Sequence, residues 1–245
     1  MHQTNQQGRD MIKKGIHIVF LFFFCFQINS QSKSDSLGLN FRLEYNKLPF
    51  EVNKKYVSSK KDTLTVETFK CYISNIQIQY LDQSVFTQKD SYHLLDSDNP
   101  DSFQFHLTKN NDKIISKVTF NIGIDSLTNT SGAMAGDLDP IKGMYWAWQS
   151  GYINMKIEGK SSSCNPEASG RKNEFQFHIG GYLSPYYAMR KVALTYDKKA
   201  TQINIGIDLY NFFANLNLAK TNSIMIPGRL AMELADYSKS LFYIE

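Results

Sequence analysis

Cysteine, tryptophan and histidine are all scarce in this chain of 245 residues, which has three cysteines, two tryptophans and five histidines. The cysteines form no CxxC pair, and none belongs to a cysteine–histidine cluster. This absence argues against a structural zinc site, which needs four such ligands at short spacings. It also argues against a blue-copper redox enzyme, whose metal is held by a cysteine and two histidines.

The common catalytic motifs are absent as well. The chain has no Walker loop, no HExxH and no paired-carboxylate motif, and the sequence Gly123-Ile-Asp-Ser126 lacks the spacing of a nucleophile elbow. We therefore expect a protein without catalysis of its own.

Neither sign of charge dominates. The chain has 27 Lys and Arg against 23 Asp and Glu, a formal net charge of +4, and no basic run follows the N-terminal region. A nucleic-acid partner would need a basic patch or stripe, so none is expected.

Long apolar runs are missing except near the N-terminus. The run Ile16–Phe26 follows Lys13 and Lys14 and is shorter than the roughly twenty residues that span a membrane. This arrangement predicts a signal peptide over residues 1–30, cleaved before Gln31. Because Phe24 precedes Cys25, where a lipobox has a small residue, a lipoprotein is less expected than a periplasmic or extracellular protein without a membrane span.

Removal of the signal leaves about 215 residues, a length that one all-β domain can occupy, so we predict a single domain over residues 31–245. The segment Leu37–Tyr45 alternates apolar and other residues, as a half-buried strand does. Similar segments recur at roughly ten-residue intervals, with turn residues between them, and predict an antiparallel β-sandwich or barrel-like domain. One long strand region is expected over Leu64–Ile73 and Ile76–Tyr80, interrupted at Ser74-Asn75. Further strands are expected at Tyr92–Leu95, Phe103–Leu107, Ile114–Ile124, Tyr145–Ile157, Glu174–Ile179, Lys191–Leu194 and Gln202–Asp208. One or two short helices near the C-terminus are expected at Tyr210–Leu218 and Pro227–Tyr237.

The segment Gly143–Gly159 contains both tryptophans. Its alternation predicts one strand with Trp146 and Trp148 on the same face, and the buried side changes near Gly151, which suggests a bulge there. On periodicity alone these are two core tryptophans.

The two cysteines beyond the signal, Cys71 and Cys164, leave two alternatives open. In an oxidising compartment they can form a disulfide. Alternatively, Cys71 is a small buried hydrophobe, because it shares a strand face with Phe69 and Ile73.

Two candidate ion sites remain. The first is the acidic loop Gly136–Pro140 with Asp125 upstream, for which ordinary turn chemistry is favoured over calcium binding. The second rests on the histidines beyond the signal, His93, His106 and His178. Two of them end the similar fragments Phe103-Gln-Phe-His106 and Phe175-Gln-Phe-His178, which place histidine opposite the phenylalanine face. Imidazole suits copper and zinc, but solvated strand histidines are the simpler interpretation.

Several segments together resemble the MbnP-like family of exported copper-binding proteins. The resemblance covers nearly the whole chain after the signal, and its most specific part is Met144-Tyr-Trp-Ala-Trp-Gln-Ser-Gly-Tyr152 followed by Phe177-His-Ile-Gly180. Other matching segments are Cys71–Asn75, Tyr92–Asp96, Phe120–Asn129, Gly136–Gly143, Glu158–Gly159 and Ile224–Gly228.

The resemblance implies an exported β-rich protein that binds one copper ion through histidine. It also implies a tryptophan oxidised to kynurenine by a di-haem partner enzyme of the MauG type. His178 best matches the family histidine, Trp146 or Trp148 is the candidate for oxidation, and His106 or His93 is the candidate second ligand. The alternative from another class is an extracytoplasmic β-sandwich that binds a glycan or a protein without metal.

Overall fold

The computed structural model describes residues 36–107, 113–149 and 151–245. The predicted signal peptide and its cleavage site lie outside these residues. The strands are β1 Leu37–Tyr45, β2 Leu48–Pro49, β3 Lys55–Val57, β4 Thr63–Tyr80, β5 Val85–Thr87, β6 Tyr92–Asp96, β7 Gln104–Leu107, β8 Ile115–Ile122, β9 Tyr145–Trp146, β10 Gly151–Ser161, β11 Glu174–Gly180, β12 Arg190–Thr195, β13 Gln202–Asp208, β14 Ser223–Ile224 and β15 Phe242–Ile244. The α-helices are α1 Ser126–Thr130, α2 Pro166–Ser169, α3 Leu209–Asn215 and α4 Arg229–Ser238.

The strands form two mixed sheets. The small sheet has the order β15-β13-β1-β2, with β7 also paired to β1, and the large sheet has the order β12-β8-β4-β10-β11-β14. The short strands β3, β5 and β6 pair with β4, and β9 pairs with β10. Most pairs are antiparallel, as predicted, but β1–β13 and β11–β14 are parallel. The antiparallel prediction was wrong for these two pairs because alternation shows which face a residue occupies and not which strand lies beside it.

The main core fills the space between the sheets, and the predicted β-sandwich is confirmed. Phe41 of the small sheet meets Phe120 of the large sheet edge to face, with ring centroids 5.8 Å apart. The predicted interruption of β4 is also present, since Asn75 has a φ of 49° and the pairing register with β8 shifts between Ser74 and Gln77. This bulge lets β4 keep apolar residues on the core side along both of its halves.

Both predicted C-terminal helices form, as α3 and α4, and their apolar residues pack into the main core. Helices α1 and α2 were not predicted, because each is too short to show helical periodicity. No helix in the described part of the chain is long and apolar enough to cross a membrane.

The tryptophan segment corrects the prediction of one continuous strand. Tyr145 and Trp146 form β9, and the chain then turns and returns as β10, with Trp146 opposite Gly151 and Tyr152 opposite Tyr145. The two tryptophans therefore do not share one strand face. The apparent change of buried side near Gly151 is this turn, and a register irregularity follows between Ile153 and Met155.

Cys71 and Cys164 are both buried free thiols, so the disulfide alternative is not what the structure shows. Cys71 lies opposite Met155, whereas Ser161, close to Cys164, lies opposite Leu64. At about 3.3 Å per residue, these two positions of β4 are some 20 Å apart along the strand. A disulfide needs Cα atoms within about 7 Å of each other.

Candidate metal site

A second, smaller apolar cluster lies on the outer face of the large sheet. Tyr72 belongs to it because alternation along β4 turns this side chain away from its core-facing neighbours Cys71 and Ile73. The segment 134–149 covers the cluster and contributes three of its buried side chains. The buried members are Tyr72, Leu94, Ile124, Leu138, Met144, Trp146, Tyr152 and Ile153.

Polar side chains of the sheet fasten the covering segment to it. The Tyr72 hydroxyl donates to the carbonyl of Asp137 at 2.8 Å, and the Lys156 ammonium donates to the carbonyl of Gly143 at 2.5 Å. Both donors project from strands of the large sheet. The part of the covering segment that leads into the tryptophan hairpin is therefore held to the sheet at two points.

Trp146 is buried against the end of β11. Two of its ring atoms, Cζ3 and Cη2, lie 2.7 and 2.9 Å from the position that a Cβ atom on Gly180 would occupy. Only glycine leaves room for the indole there. Residues two apart on a strand share a face and lie about 7 Å apart, so the indole neighbours the side of β11 from which His178 projects.

The indole nitrogen of Trp146 is buried and has no hydrogen-bond partner among the described residues. Buried donors normally have a partner, so this orphaned N–H marks a place where a further group is expected. Trp148 differs: its side chain is 64 % exposed, and its ring centroid lies 5.9 Å from that of Trp146. Of the two tryptophans, Trp146 is the one built into the sheet face.

His178 is 7 % exposed and forms a short contact with Glu158 of the neighbouring strand β10, with Nε2 and Oε1 2.6 Å apart. As predicted, its side chain points away from the phenylalanine face, but it is buried and not a solvated strand histidine. The hydrogen bond with His178 is the main reason why the pKa of Glu158 lies below its ordinary value.

The ionised carboxylate fixes the tautomer of His178. An ionised Glu158 is an acceptor only, so Nε2 carries the proton and donates it. In the neutral ring, Nδ1 then holds the free lone pair, and it forms no hydrogen bond with any residue that the structure describes. Metal-binding histidines are commonly held in this way, with a carboxylate on one nitrogen and the metal on the other.

Charged residues extend from His178 across the sheet. Lys156 lies opposite His178, Lys70 opposite Lys156, and Asp96 opposite Lys70. Lys70 and Asp96 form an ion pair at 2.8 Å. Burial lowers the pKa of Lys156, although Glu158 acts in the other direction. The site is therefore a polar strip beneath an aromatic cover.

His93 is not brought to His178. It lies on β6 opposite Ile73, which places it on the core side of the large sheet, where its ring stacks on Phe105 at 3.8 Å between centroids. Burial lowers its pKa. His178 projects from the opposite face of the same sheet, so one ion cannot contact both rings.

His106 is not brought to His178 either. It is an exposed residue of β7 in the small sheet, next to Gly38. The sequence similarity of the two histidine fragments reflects equivalent alternation on two different sheets. Among the residues described, no group of three or more His, Cys, Asp or Glu side chains is arranged to hold a metal ion.

The carboxylates of the acidic loop and Asp125 stabilise local turns and helix ends, as favoured from the sequence. Asp125 caps α1 by accepting the amide hydrogen bond of Thr128 at 2.9 Å, and Asp137 pairs with Lys142 at 2.7 Å. Asp139 caps the short 3-10 helix that follows it. The carboxylates are thus used separately.

Glu158 is the site residue whose role the sequence analysis missed. It was recognised only as part of a family-like segment. Alternation places both Glu158 and His178 on the polar face of their strands, which is a signal that was available. Their contact depends on the register between β10 and β11, which a single sequence does not supply.

The described residues thus define a two-sheet β-sandwich with one carboxylate-bound histidine beside a buried tryptophan. The chain belongs to the MbnP family, whose model matches residues 34–226. The fold is similar to that of MbnP from Methylosinus trichosporium, with a TM-score of 0.55 and 13 % identity over 75 % of this chain and 79 % of that one. A search of curated proteins found no match. Family membership indicates an MbnP-type function, which is linked to copper.

Proposed function

We propose that this chain is an exported copper-binding protein that acts in copper acquisition or handling outside the cytoplasm. The observation that carries the proposal is the Glu158–His178 pair, which leaves Nδ1 of a buried imidazole free beside Trp146. Imidazole is a good ligand for copper, and a carboxylate on its other nitrogen raises its basicity. Family membership supports copper as the metal.

The donors present fit a copper(I) ion of low coordination number better than zinc. Zinc takes four ligands in tetrahedral geometry, whereas His178 is the one imidazole on this face of the large sheet among the described residues. An intact indole supplies no lone pair, because its nitrogen is only a hydrogen-bond donor. A second metal ligand therefore has to come from a modified Trp146 or from a group other than His178 and the intact indole.

Oxidation of Trp146 to kynurenine would supply such a donor. Opening of the five-membered ring gives a ketone and an aniline nitrogen, with a net gain of one oxygen and loss of one carbon. Trp146 rather than Trp148 is proposed as the site because it is held against Gly180, which shares a strand face with His178. The lost carbon leaves as formate, and hydrogen peroxide used by a di-haem enzyme of the MauG type is the proposed oxidant. The chain itself has no catalytic role in this proposal.

Copper(I) affinity tests the proposal. Mature protein, residues 31–245, is titrated in competition with a chromophoric copper(I) chelator, and about one equivalent is expected to bind. His178→Ala is expected to lose most of the affinity, because it removes the free imidazole nitrogen. His106→Ala is the matched control, since His106 is exposed on the other sheet, and it is expected to bind as wild type does. Equal binding by wild type and His178→Ala would refute the proposal.

The modification is tested separately by mass spectrometry. Protein isolated from its native host is digested, and fragment ions that separate Trp146 from Trp148 are expected to place the gain of one oxygen and the loss of one carbon at Trp146. Trp148, whose exposed ring lies outside the sheet face, is the internal control and is expected to be unchanged. An unmodified Trp146 would refute kynurenine formation. Copper binding by His178 would then be tested only by the titration.

A further inference from the structure

A polar cavity of about 360 Å³ lies on the outer face of the large sheet, away from His178. Its walls come from the β4 bulge, the β5–β6 turn and the end of β8. Its volume falls within the range of about 300–1,000 Å³ that is typical of small-molecule sites. The lining residues used below are Ser74, Asn75, Lys89, Asp90, Asn121 and Asp125.

The floor of the cavity is a row of polar residues on three neighbouring strands. Tyr92 of β6 lies opposite Ser74 of β4, which in turn lies opposite Asn121 of β8. The Ser74 hydroxyl is occupied, because it donates to the carbonyl of Gly123 at 2.6 Å. The Tyr92 hydroxyl is occupied by Asp125 at 2.7 Å.

Asn121 is the exception in this row. It is 8 % exposed and lines the cavity, where its side-chain amide is open to solvent instead of bonded to a neighbouring side chain. Its donor and acceptor groups are therefore available to a molecule that enters the cavity. An unpaired amide at the bottom of a polar cavity points to a ligand with both hydroxyl donors and acceptors.

The charges on the walls narrow the class of ligand. Asp90 and Asp125 disfavour an anion. The positive charge of Lys89 disfavours a metal ion. The Asp125 carboxylate is also already used, because it accepts hydrogen bonds from Tyr92 and from the amide and hydroxyl of Thr128. A neutral, hydroxylated molecule suits the remaining groups.

We propose that this cavity binds a small neutral polyhydroxylated ligand of monosaccharide size, through the amide of Asn121. Three strand spacings separate β8 from β11, which places the cavity about 14 Å or more from the His178 strand. Binding at the cavity is therefore independent of the copper site.

Saturation-transfer NMR and calorimetry on the metal-free mature protein test this proposal. The probes are glucose, galactose, mannose, N-acetylglucosamine and myo-inositol, and at least one is expected to bind. Asn121→Leu, which keeps the size of the side chain, is expected to weaken that binding about tenfold or more, because it removes both hydrogen-bonding groups. Thr119→Val is the matched control, since Thr119 is a buried polar residue of the same strand that does not line the cavity.

Three results would overturn the proposal: no probe binds, Asn121→Leu binds as wild type does, or calcium rather than a sugar is the species whose binding requires Asn121. Circular dichroism checks the fold of each variant. If Asn121→Leu does not fold, Asn75→Gly replaces it, because Asn75 is exposed and glycine accepts its φ of 49°. His178→Ala is expected to keep full sugar binding, which separates this proposal from the copper proposal.

Discussion

At the scale of single residues, the Glu158–His178 pair sets the chemistry of the candidate site. The two side chains approach to 2.6 Å on neighbouring strands, and the carboxylate leaves the other imidazole nitrogen free. In the proposed copper site Glu158 acts without contacting the metal, because it orients the ring and holds its tautomer. It is therefore a positioning residue.

Glu158→Gln is expected to weaken copper(I) binding by about ten- to a hundredfold, the usual cost of losing a carboxylate that supports a histidine ligand. The chelator competition titration measures this. Glu67→Gln is the control, because Glu67 forms an ion pair with Lys160 on the surface and has no contact with His178. If Glu158→Gln and Glu67→Gln both bind copper as wild type does, Glu158 has no positioning role.

At the scale of elements, the hairpin β9–β10 brings Trp146 to the sheet. The sequence predicted the residues of this segment as one strand, since alternation continues across the turn. Nothing local distinguishes a continuing strand from one that reverses between Trp146 and Gly151, because the pairing of Tyr145 with Tyr152 is a contact between residues and not a periodicity. The family resemblance identified the segment correctly, and only the structure showed its shape.

Gly180→Ala tests whether the indole needs the space above β11. The added Cβ would lie 2.7 Å from the Trp146 ring and 2.8 Å from the carbonyl oxygen of Tyr152, so we expect a loss of about 1–3 kcal/mol in the free energy of unfolding. Tryptophan fluorescence is expected to change with it as the ring is displaced. Denaturant unfolding monitored by circular dichroism measures the free energy.

Gly38→Ala is the matched control for this experiment. Gly38 is also a strand glycine, but the nearest atoms to its added Cβ lie at 3.5 Å, an ordinary contact distance. This variant is expected to be as stable as wild type or slightly more stable. If Gly180→Ala behaves in the same way, the indole does not depend on that space.

At the scale of the whole molecule, the sequence predicted most of the strands and both C-terminal helices, because their apolar residues recur with regular periods. It did not predict the parallel pairing of β1 with β13, whose members lie far apart in the chain. For the same reason the sequence did not show that the three histidines lie apart. His178 is on the outer face of the large sheet, His93 is on the core side of that sheet, and His106 is on the small sheet. Their positions depend on strand order and register.

The state of the two cysteines is a whole-molecule prediction, because it depends on how β4 and β10 are aligned. Both thiols are buried, and burial raises the pKa of Cys164 to about 11, which disfavours the reactive thiolate. Mature native protein is expected not to react with Ellman's reagent. In denaturant without reductant, two thiols per chain are expected to react, and a finding of none would show that a disulfide forms after all.

The central claim is that His178 binds copper through Nδ1. Anomalous diffraction at the copper edge, on crystals of the copper(I)-loaded mature protein, tests it most directly. One strong peak is expected on the outer face of the large sheet, bonded to Nδ1 of His178 while Nε2 stays bonded to Glu158. A peak at His93 or His106 without one at His178, or no bound copper at all, would contradict the account.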